Sequence, residues 1–132
     1  MSGTFSLRIV TPQGNVLKED VEFVVLPGEM GELGVLPNHA PLIAGLEVGV
    51  VRYTKESTVK KVAISGGFVE VADNVASVLA ETAEPAEKID AARAKAAKER
   101  AEQRLAARSA DIDLVRAELA LRKAIARLKA LS

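Results

Sequence analysis

The hydrophobic residues of this chain follow two different periods, and the change from one to the other falls near Pro85. In the first half, apolar and polar residues alternate one by one, which is typical of strands with one buried face. The clearest alternating runs are residues 5–9, 61–64 and 69–72. Clusters of Gly, Pro, Asn and Asp separate the runs at short intervals. We therefore predict an antiparallel β-sandwich over residues 1–84.

From Pro85 onward the sequence is typical of helices. Residues 86–108 contain no Gly, Pro, Val or Thr and consist largely of Ala, Lys, Glu and Arg, which favour helix formation. Pro85 suits the first turn, where a missing N–H costs nothing. A short break follows, with Asp111 as the N-cap of a second helix and Asp113 in its first turn. So short a break predicts an antiparallel two-helix hairpin over 85–132, which makes the chain an α+β protein.

The seam between these two helices is predicted to be thin. The first helix offers mostly alanine methyl groups, and a buried CH₂ contributes only about 0.8 kcal/mol. Two short helices with such a seam are marginally stable alone. We therefore expect a mobile hairpin that needs a ligand or a partner to fix it. The seam residues are Ile89, Ala94, Ala97, Ala101 and Leu105 on the first helix, and Leu114, Leu119, Leu121, Ile125 and Leu128 on the second.

Composition excludes several classes of protein. The chain has no cysteine and a single histidine, which excludes a disulfide framework and a thiolate or histidine-cluster metal site. It has no apolar run of 18 residues, so we predict no direct insertion into a membrane. The N-terminus lacks the basic and apolar regions of a secretion signal, and an intracellular setting is expected.

The net charge of zero conceals an asymmetry between the two halves. Residues 1–84 hold six Lys and Arg against eleven Asp and Glu, a net charge of −5. Residues 85–132 hold twelve against seven, a net charge of +5. Such an asymmetry indicates two units with different partners.

Motifs for catalysis are missing. The glycine-rich segment 28–34 is not followed by Lys-Ser/Thr, so it is not a phosphate-binding loop. Ser65-Gly66-Gly67 would need a histidine partner, and the only histidine, His39, has no orienting carboxylate nearby in sequence. We predict no catalytic residue, no metal site and no enzymatic activity of the chain's own.

The helical half carries the sharper constellation of residues. The first helix places Asp90, Arg93, Ala94, Ala97 and Arg100 in one sector, because spacings of three, four and seven share a helix face. Two interpretations remain open: the basic faces are solvated and paired locally, or an anion fills the gap between them. Asp90 could accept from an adenine amino group or a ribose hydroxyl, or it could pair with Arg93. The second helix aligns Arg116, Lys123 and Arg127 in the same way.

Five segments resemble the epsilon subunits of F-type ATP synthases. They are VTP at 10–12, GELGVLPNHAPL at 31–42, SGGFVEV at 65–71, IDAARA at 89–94 and KAAKER at 95–100. The resemblance runs from end to end of the chain. It implies an N-terminal β-sandwich and a C-terminal helical hairpin, in agreement with the periodicities.

The resemblance further implies a non-catalytic rotor subunit that couples the c-ring to gamma, peripheral to the cell membrane on its cytoplasmic side. The β-domain, 1–84, would bind the gamma subunit and the c-ring, with the loop carrying Glu32 and the nearby His39 as the c-ring contact. The hairpin, 85–132, would act as a brake on ATP hydrolysis. Folded, it permits hydrolysis; extended, it reaches the alpha and beta subunits and blocks rotation.

The segment 89–94 is similar to the ATP-binding motif of Bacillus-type members. This similarity implies that ATP binds the hairpin as a regulatory ligand, without hydrolysis, and stabilises the folded state; whether magnesium accompanies it stays open. Lys123 departs from the family pattern, where Arg is expected, and lysine lacks the bidentate fork. The implied ATP-binding residues are Glu84, Ile89, Asp90, Arg93, Ala94, Arg100, Arg116, Lys123 and Arg127.

Two alternative functions compete with this one. A purely structural rotor adaptor would have the same fold without nucleotide sensing. A nucleic-acid-binding module would use the basic hairpin, but the hairpin has no aromatic residues for stacking and its basic residues are interleaved with acidic ones, so no nucleic-acid partner is expected.

Overall fold

The computed structural model describes residues 3–108 and 113–132. A β-domain comes first, and two helices follow it. The strands are β1 (Phe5–Thr11), β2 (Gly14–Val21), β3 (Phe23–Gly28), β4 (Gly31–Val35), β5 (Leu42–Lys55), β6 (Thr58–Ala72), β7 (Val75–Ala80) and β8 (Ala83–Pro85). A 3₁₀ turn (Ala86–Lys88) leads into helix α1 (Ala91–Ala107), and helix α2 (Leu114–Ala130) completes the hairpin.

The predicted sandwich followed by two helices is confirmed. Strands pair in the order β2-β1-β7-β6-β5-β3-β4, and β8 pairs with β6. Within the sandwich, β1 and β7 run parallel, whereas the other pairs are antiparallel. The long strand β6 pairs with β8 before Gly66 and with β7 from Gly67 onward. Gly67 has a φ of 136°, and an added Cβ would meet the Leu79 carbonyl oxygen at 1.9 Å. Glycine is therefore required where the strand changes neighbours.

The main core lies inside the sandwich and contains the alternating residues. Leu7 and Ile9 of β1 are fully buried, and so is Val69 of β6. Successive side chains of a strand point to opposite faces, so this alternation turns one apolar set inward. Each such Val, Leu or Ile contributes roughly 1.5–3 kcal/mol when buried.

A second, smaller core joins the helices to the outer face of the sheet. Val62 and Ile64 belong to the main core, whereas Ala63, between them, belongs to this second cluster. Helix α2 packs on β5 and β6, so the hairpin is docked on the β-domain. The second cluster consists of Ala63, Ile89, Ala94, Ala126 and Ala130, with Val48, Val50, Ala86 and Leu128 packed around it.

The first helix begins later than predicted. Pro85 does not open the α-helix; it ends β8, where it pairs with Val62, and directly precedes the 3₁₀ turn. The backbone of Ile89 is extended, and Asp90 is the N-cap of α1. The sequence pattern missed this because β8 exists only through its pairing with a strand about twenty residues away.

The start of the second helix also differs from the prediction. Asp113, which was placed in the first turn, is the N-cap, and its carboxylate accepts from the Arg116 backbone N–H at 3.1 Å. The predicted cap Asp111 lies outside the described residues. A carboxylate at this position satisfies an orphan N–H and favours the helix dipole.

The leucine seam predicted for α2 is wrong at Leu114 and Leu119. Leu114 and Leu119 are 41% and 38% exposed, whereas Ala117 and Ala124 are buried. Leu121, Ile125 and Leu128 are half-buried. Because α2 packs against both α1 and the sheet, its buried surface follows two neighbours rather than one heptad stripe. On α1, buried Ala94 and Ala101 agree with the predicted seam.

Candidate functional site

A polar cleft of about 250 Å³ lies where β8, the 3₁₀ turn and both helices meet. Four of its lining residues are cations and two are carboxylates. Seven of the nine residues implied as nucleotide contacts by the sequence line it. Its lining consists of Glu84, Lys88, Ile89, Asp90, Arg93, Ala94, Ala97, Arg100 and Arg127.

Each element contributes to the cleft for a local reason. Glu84 sits on β8, fixed by its pairing with Ala63. Ile89 is buried in the second core and anchors the chain between the 3₁₀ turn and α1. Arg93 and Arg100 then follow on α1 at a spacing of seven residues, which places them on one face of the helix. The local sequence therefore builds one wall of the cleft, and α2 supplies the other.

Asp90 has a structural role in the cleft. Its carboxylate accepts from the Arg93 backbone N–H at 3.1 Å and caps helix α1. This contact involves the Arg93 backbone, not the guanidinium pairing that the spacing had suggested. A carboxylate has two oxygens, so the cap leaves one for a ligand.

The tightest polar contact of the cleft joins the β-domain to the hairpin. Arg127 Nε on α2 donates to Glu84 Oε1 on β8 at 2.5 Å. This charge-assisted bond spans the cleft, and both side chains are partly exposed. Arg127 therefore serves the docking of α2 as well as the lining of the cleft.

Two of the implied residues are not in the cleft. Lys123 is half-buried and lines a small crevice beside it with Glu84 and Arg127. Arg116 is exposed near the start of α2. Arg116 and Arg127 are eleven positions apart, about 16 Å along the helix, so a shared face does not bring all three cations to one end of α1.

Lys88 is the lining residue that the sequence analysis missed. It ends the 3₁₀ turn and is exposed at the edge of the cleft. It lies directly before Ile89. Its position next to the segment 89–94 could have indicated it as a lining residue. The predicted helix from Pro85, however, would have put Lys88 inside the helix and not in a turn before it.

The two implied c-ring residues lie on strand β4 and in the segment between β4 and β5. Glu32 lies on strand β4, not in a loop, and its carboxylate accepts from Arg52 Nη2 at 2.9 Å. His39 is half-buried, with Nδ1 2.7 Å from the Ala40 carbonyl oxygen. Between β3 and β4, the tip residue Met30 is fully exposed.

An apolar strip crosses the outside of the β-domain. Phe68 on β6 and Leu79 on β7 are cross-strand partners, and Leu79 is also the partner of Val10 on β1. Ile43 on β5 is 71% exposed. Neighbouring strands thus present exposed apolar side chains, a feature that marks interaction surfaces.

Residues 3–108 and 113–132 contain no group of three His, Cys, Asp or Glu placed to hold a metal ion. Over the same two ranges, none of the helices has the length and apolar character needed to cross a bilayer.

Family models match the chain in two consecutive blocks. The β-sandwich domain of the ATP synthase Delta/Epsilon chain matches residues 4–86, and its long α-helix domain matches residues 87–132. The ATP synthase epsilon chain of Desulfitobacterium hafniense (strain Y51) is 64% identical over 130 residues, which cover 98% of each chain. That of Bacillus licheniformis is 50% identical over 125 residues, 95% of each chain.

Solved structures agree with these relatives. A chain of the Euglena gracilis mitochondrial ATP synthase (OSCP/F1/c-ring) matches with a TM-score of 0.84 and 26% identity, over 98% of this chain and 82% of that one. A chain of the Tetrahymena thermophila mitochondrial enzyme (central stalk/c-ring) matches with a TM-score of 0.60 and 17% identity, over 96% of each chain, and shows the fold alone.

Proposed function

Because the chain belongs to the epsilon subunits of bacterial F-type ATP synthases, we propose that it is a regulatory subunit of the central stalk whose helical hairpin senses ATP. As an epsilon subunit, it is part of a membrane-associated complex. The finer proposal is that ATP holds the hairpin docked and non-inhibitory. Falling ATP releases the hairpin, which then inhibits ATP hydrolysis.

One observation carries this proposal: the cleft is assembled from the β-domain and both helices. Its walls come from Glu84 on β8, Lys88 on the 3₁₀ turn, Arg93 on α1 and Arg127 on α2. An extended hairpin would separate these walls, so a ligand of the cleft binds only the docked form. A ligand shifts such an equilibrium by its differential affinity for the two forms. At a hundred times its Kd, ATP would favour docking by about 2.7 kcal/mol.

Without a ligand, the contacts that dock the hairpin on the β-domain are weak, as a switch requires. The apolar contact is made largely of alanines. Among the described residues, polar contacts to the β-domain come from α2 and the residues after it: Arg127 to Glu84, Arg122 to Glu47 at 3.9 Å, and the Ser132 carbonyl oxygen, which accepts from Lys61. Partly exposed ion pairs such as these are each worth about 1 kcal/mol or less. A ligand contribution of 2.7 kcal/mol can therefore decide the balance.

The released hairpin has features that suit protein partners. Residues 85–132 carry a net charge of +5, which favours acidic surfaces. Leu114, Val115 and Leu119 of α2 are already exposed in the docked form. In the proposed inhibitory state, this hairpin contacts the alpha and beta subunits and blocks rotation.

The β-domain, 1–84, is the proposed rotor anchor, and 85–132 is the proposed regulatory unit. The apolar strip of Phe68, Leu79 and Ile43 is the surface we assign to gamma, since exposed apolar strips suit protein interfaces. Exposed Glu32, with His39, is assigned to the c-ring. In this proposal the chain lies on the cytoplasmic side, peripheral to the cell membrane.

Bound ATP acts as a regulatory ligand and is not hydrolysed in this proposal. The guanidinium groups of the cleft suit the phosphate oxygens of ATP. The cleft's carboxylates have structural contacts, Asp90 as a helix cap and Glu84 with Arg127, and the proposal assigns neither the role of a base toward water. Whether magnesium binds with the nucleotide is decided by titrations with and without the ion.

Calorimetric titration of the isolated chain with ATP and ADP tests the proposal. We expect ATP to bind more tightly than ADP, because the cleft is rich in cations. Losing a charge-assisted hydrogen bond costs about 1.5–3 kcal/mol, so Arg93→Ala should weaken ATP binding roughly ten- to a hundredfold. Lys95→Ala removes a cation of α1 that is not part of the lining and serves as the control. Absence of ATP binding would leave the structural adaptor as the function.

A further inference from the structure

The cleft holds more positive charge than its own carboxylates neutralise. Glu84 is bound to Arg127 at 2.5 Å, and Asp90 accepts from a backbone N–H. Within the described ranges, no ion pair within 4.0 Å involves the remaining lining cations, which are Lys88, Arg93 and Arg100. Three cations are thus left without a carboxylate partner around a cleft of about 250 Å³.

We propose that Lys88 is a ligand-binding residue of this cleft and contributes to its preference for nucleoside polyphosphates over monophosphates. This inference rests on the proposed nucleotide function. In the docked arrangement Lys88 lines the cleft, whereas Lys123 and Arg116 do not. Besides Arg127 of α2, the lining therefore has a cation from the turn before α1, Lys88, and not Lys123.

The backbone around Lys88 fixes its position at the rim. The Ile89 N–H donates to the Ala86 carbonyl oxygen at 3.1 Å, which closes the turn, and Ile89 is buried against the sheet. The Lys88 side chain itself is exposed. Its long, flexible stem carries a compact point charge, so the ammonium group can follow a ligand anion while its backbone stays fixed.

The spread of the three cations indicates the size of the anion. Arg93 and Arg100 are seven residues apart on α1, or about 10 Å along the helix axis. Lys88 precedes the helix, at its N-terminal end, where the dipole also favours negative charge. One phosphate would draw three cations together against their mutual repulsion, whereas a chain of phosphates joined to a nucleoside can contact them at separate points.

Nearby carboxylates limit the size of the effect. Glu87 is adjacent to Lys88 in the chain, and Glu84 and Asp90 line the same cleft. They attract the ammonium group and lower its gain from a ligand. An exposed ion pair contributes up to about 1 kcal/mol, so we expect Lys88→Gln to weaken ATP binding about threefold to fivefold.

The test compares matched variants of the full chain by calorimetry with ATP, ADP and AMP. Lys88→Gln should lose more affinity for ATP than for AMP, and Lys88→Arg should retain it. Lys95→Gln, an exposed cation of α1 that does not line the cleft, should bind as the wild type does. Lys123→Gln should lose less than Lys88→Gln. Unchanged thermal melting of Lys88→Gln would show that its fold is intact.

Three results would overturn the proposal. ATP affinity equal to wild type in Lys88→Gln removes the residue from the site. Equal losses for ATP and AMP remove its role in phosphate preference. A larger loss of ATP affinity in Lys123→Gln than in Lys88→Gln would show that Lys123 of α2, and not Lys88, is the ligand-binding lysine. The proposed function fails separately, and takes this inference with it, if the wild-type chain binds none of the three nucleotides.

Discussion

Replacing Ala63 by leucine should release the hairpin from the β-domain without changing the hairpin's own sequence. Ala63 is 6% exposed and belongs to the same cluster as Ala126 and Ala130 of α2. Leucine adds three carbon atoms to a cluster whose buried α2 residues are both alanines. The neighbours of Ala63 on β6, Val62 and Ile64, point into the main core, so the added bulk faces the helices.

The size of the effect follows from the cost of overpacking. Extra methylene groups in a packed site cost typically 1–3 kcal/mol, and the helices can escape this strain by undocking. The ratio of docked to undocked hairpin should then fall about fivefold to 150-fold. Because only the docked form completes the cleft, the apparent Kd for ATP should rise as the docked fraction falls. Saturating ATP, worth about 2.7 kcal/mol at a hundred times its Kd, should restore much of the docking.

Energy transfer between two labels measures docking directly. Gln13, in the β1–β2 turn, and Gln103, on α1, are exposed, and cysteines placed there would be the only thiols of the chain. Transfer in Ala63→Leu should change without ATP and return toward the wild-type value with it. Ala120→Leu, on the exposed side of α2, is the control. Unchanged transfer, or cooperative loss of the whole β-domain, would refute the idea that Ala63 serves only the docking surface.

Two further predictions concern single groups. Asp90→Ala should lose the cap of α1, at a cost of about 0.5–2 kcal/mol, and weaken ATP binding more than Asp90→Asn, which can still cap; the reverse order in titrations would contradict the capping role. Burial, helped by Glu19 and Glu87, raises the pKa of Tyr53 to about 12 from 10.0. Its contribution to stability should therefore be complete below pH 10 and lost as the pH rises toward 12. Because Tyr53 is the only tyrosine and the chain has no tryptophan, ultraviolet absorbance reports it alone, and ionisation near pH 10 in the folded chain would contradict this.

The β-domain was predictable because its information is local. Leu7 and Ile9 alternate with polar residues, and the structure buries both. A period of two fixes which face of a strand is apolar, whatever its partner is. Strand β8 was missed because nothing in Ala83–Pro85 alternates; its hydrogen bonds to β6 define it.

The helical half was predicted less well because its packing depends on two neighbours at once. Leu114, Leu121 and Leu128 recur every seven residues, as in a single seam, but α2 also lies on the sheet. Ala124 and Ala126 are buried instead, since small side chains allow the helix to approach both surfaces closely. The position of one helix relative to another is a tertiary property that periodicity does not contain.

The same distinction applies to the candidate site. Residues 89–94 lie together in sequence, and four of them, Ile89, Asp90, Arg93 and Ala94, line one wall of the cleft. Which cations of α2 lie near them depends on the axial position of α2 relative to α1. Arg127 reaches the cleft and Arg116 does not, although both share the helical spacing that the sequence shows.

The two helices are held in different ways, and this difference determines how a ligand can act. The ion pairs from the described hairpin to the β-domain involve Arg122 and Arg127 of α2, whereas α1 packs mainly on α2. The only ion pair of α1, as far as the structure describes it, is internal, between Lys98 and Glu102. A nucleotide between Arg93 and Arg127 would therefore join the loosely held helix to the one that is already fastened. It would stabilise docking chiefly by closing the hairpin. Arg127 would then contact both Glu84 and the phosphates, so the Arg127–Glu84 pair would be kept when the nucleotide binds.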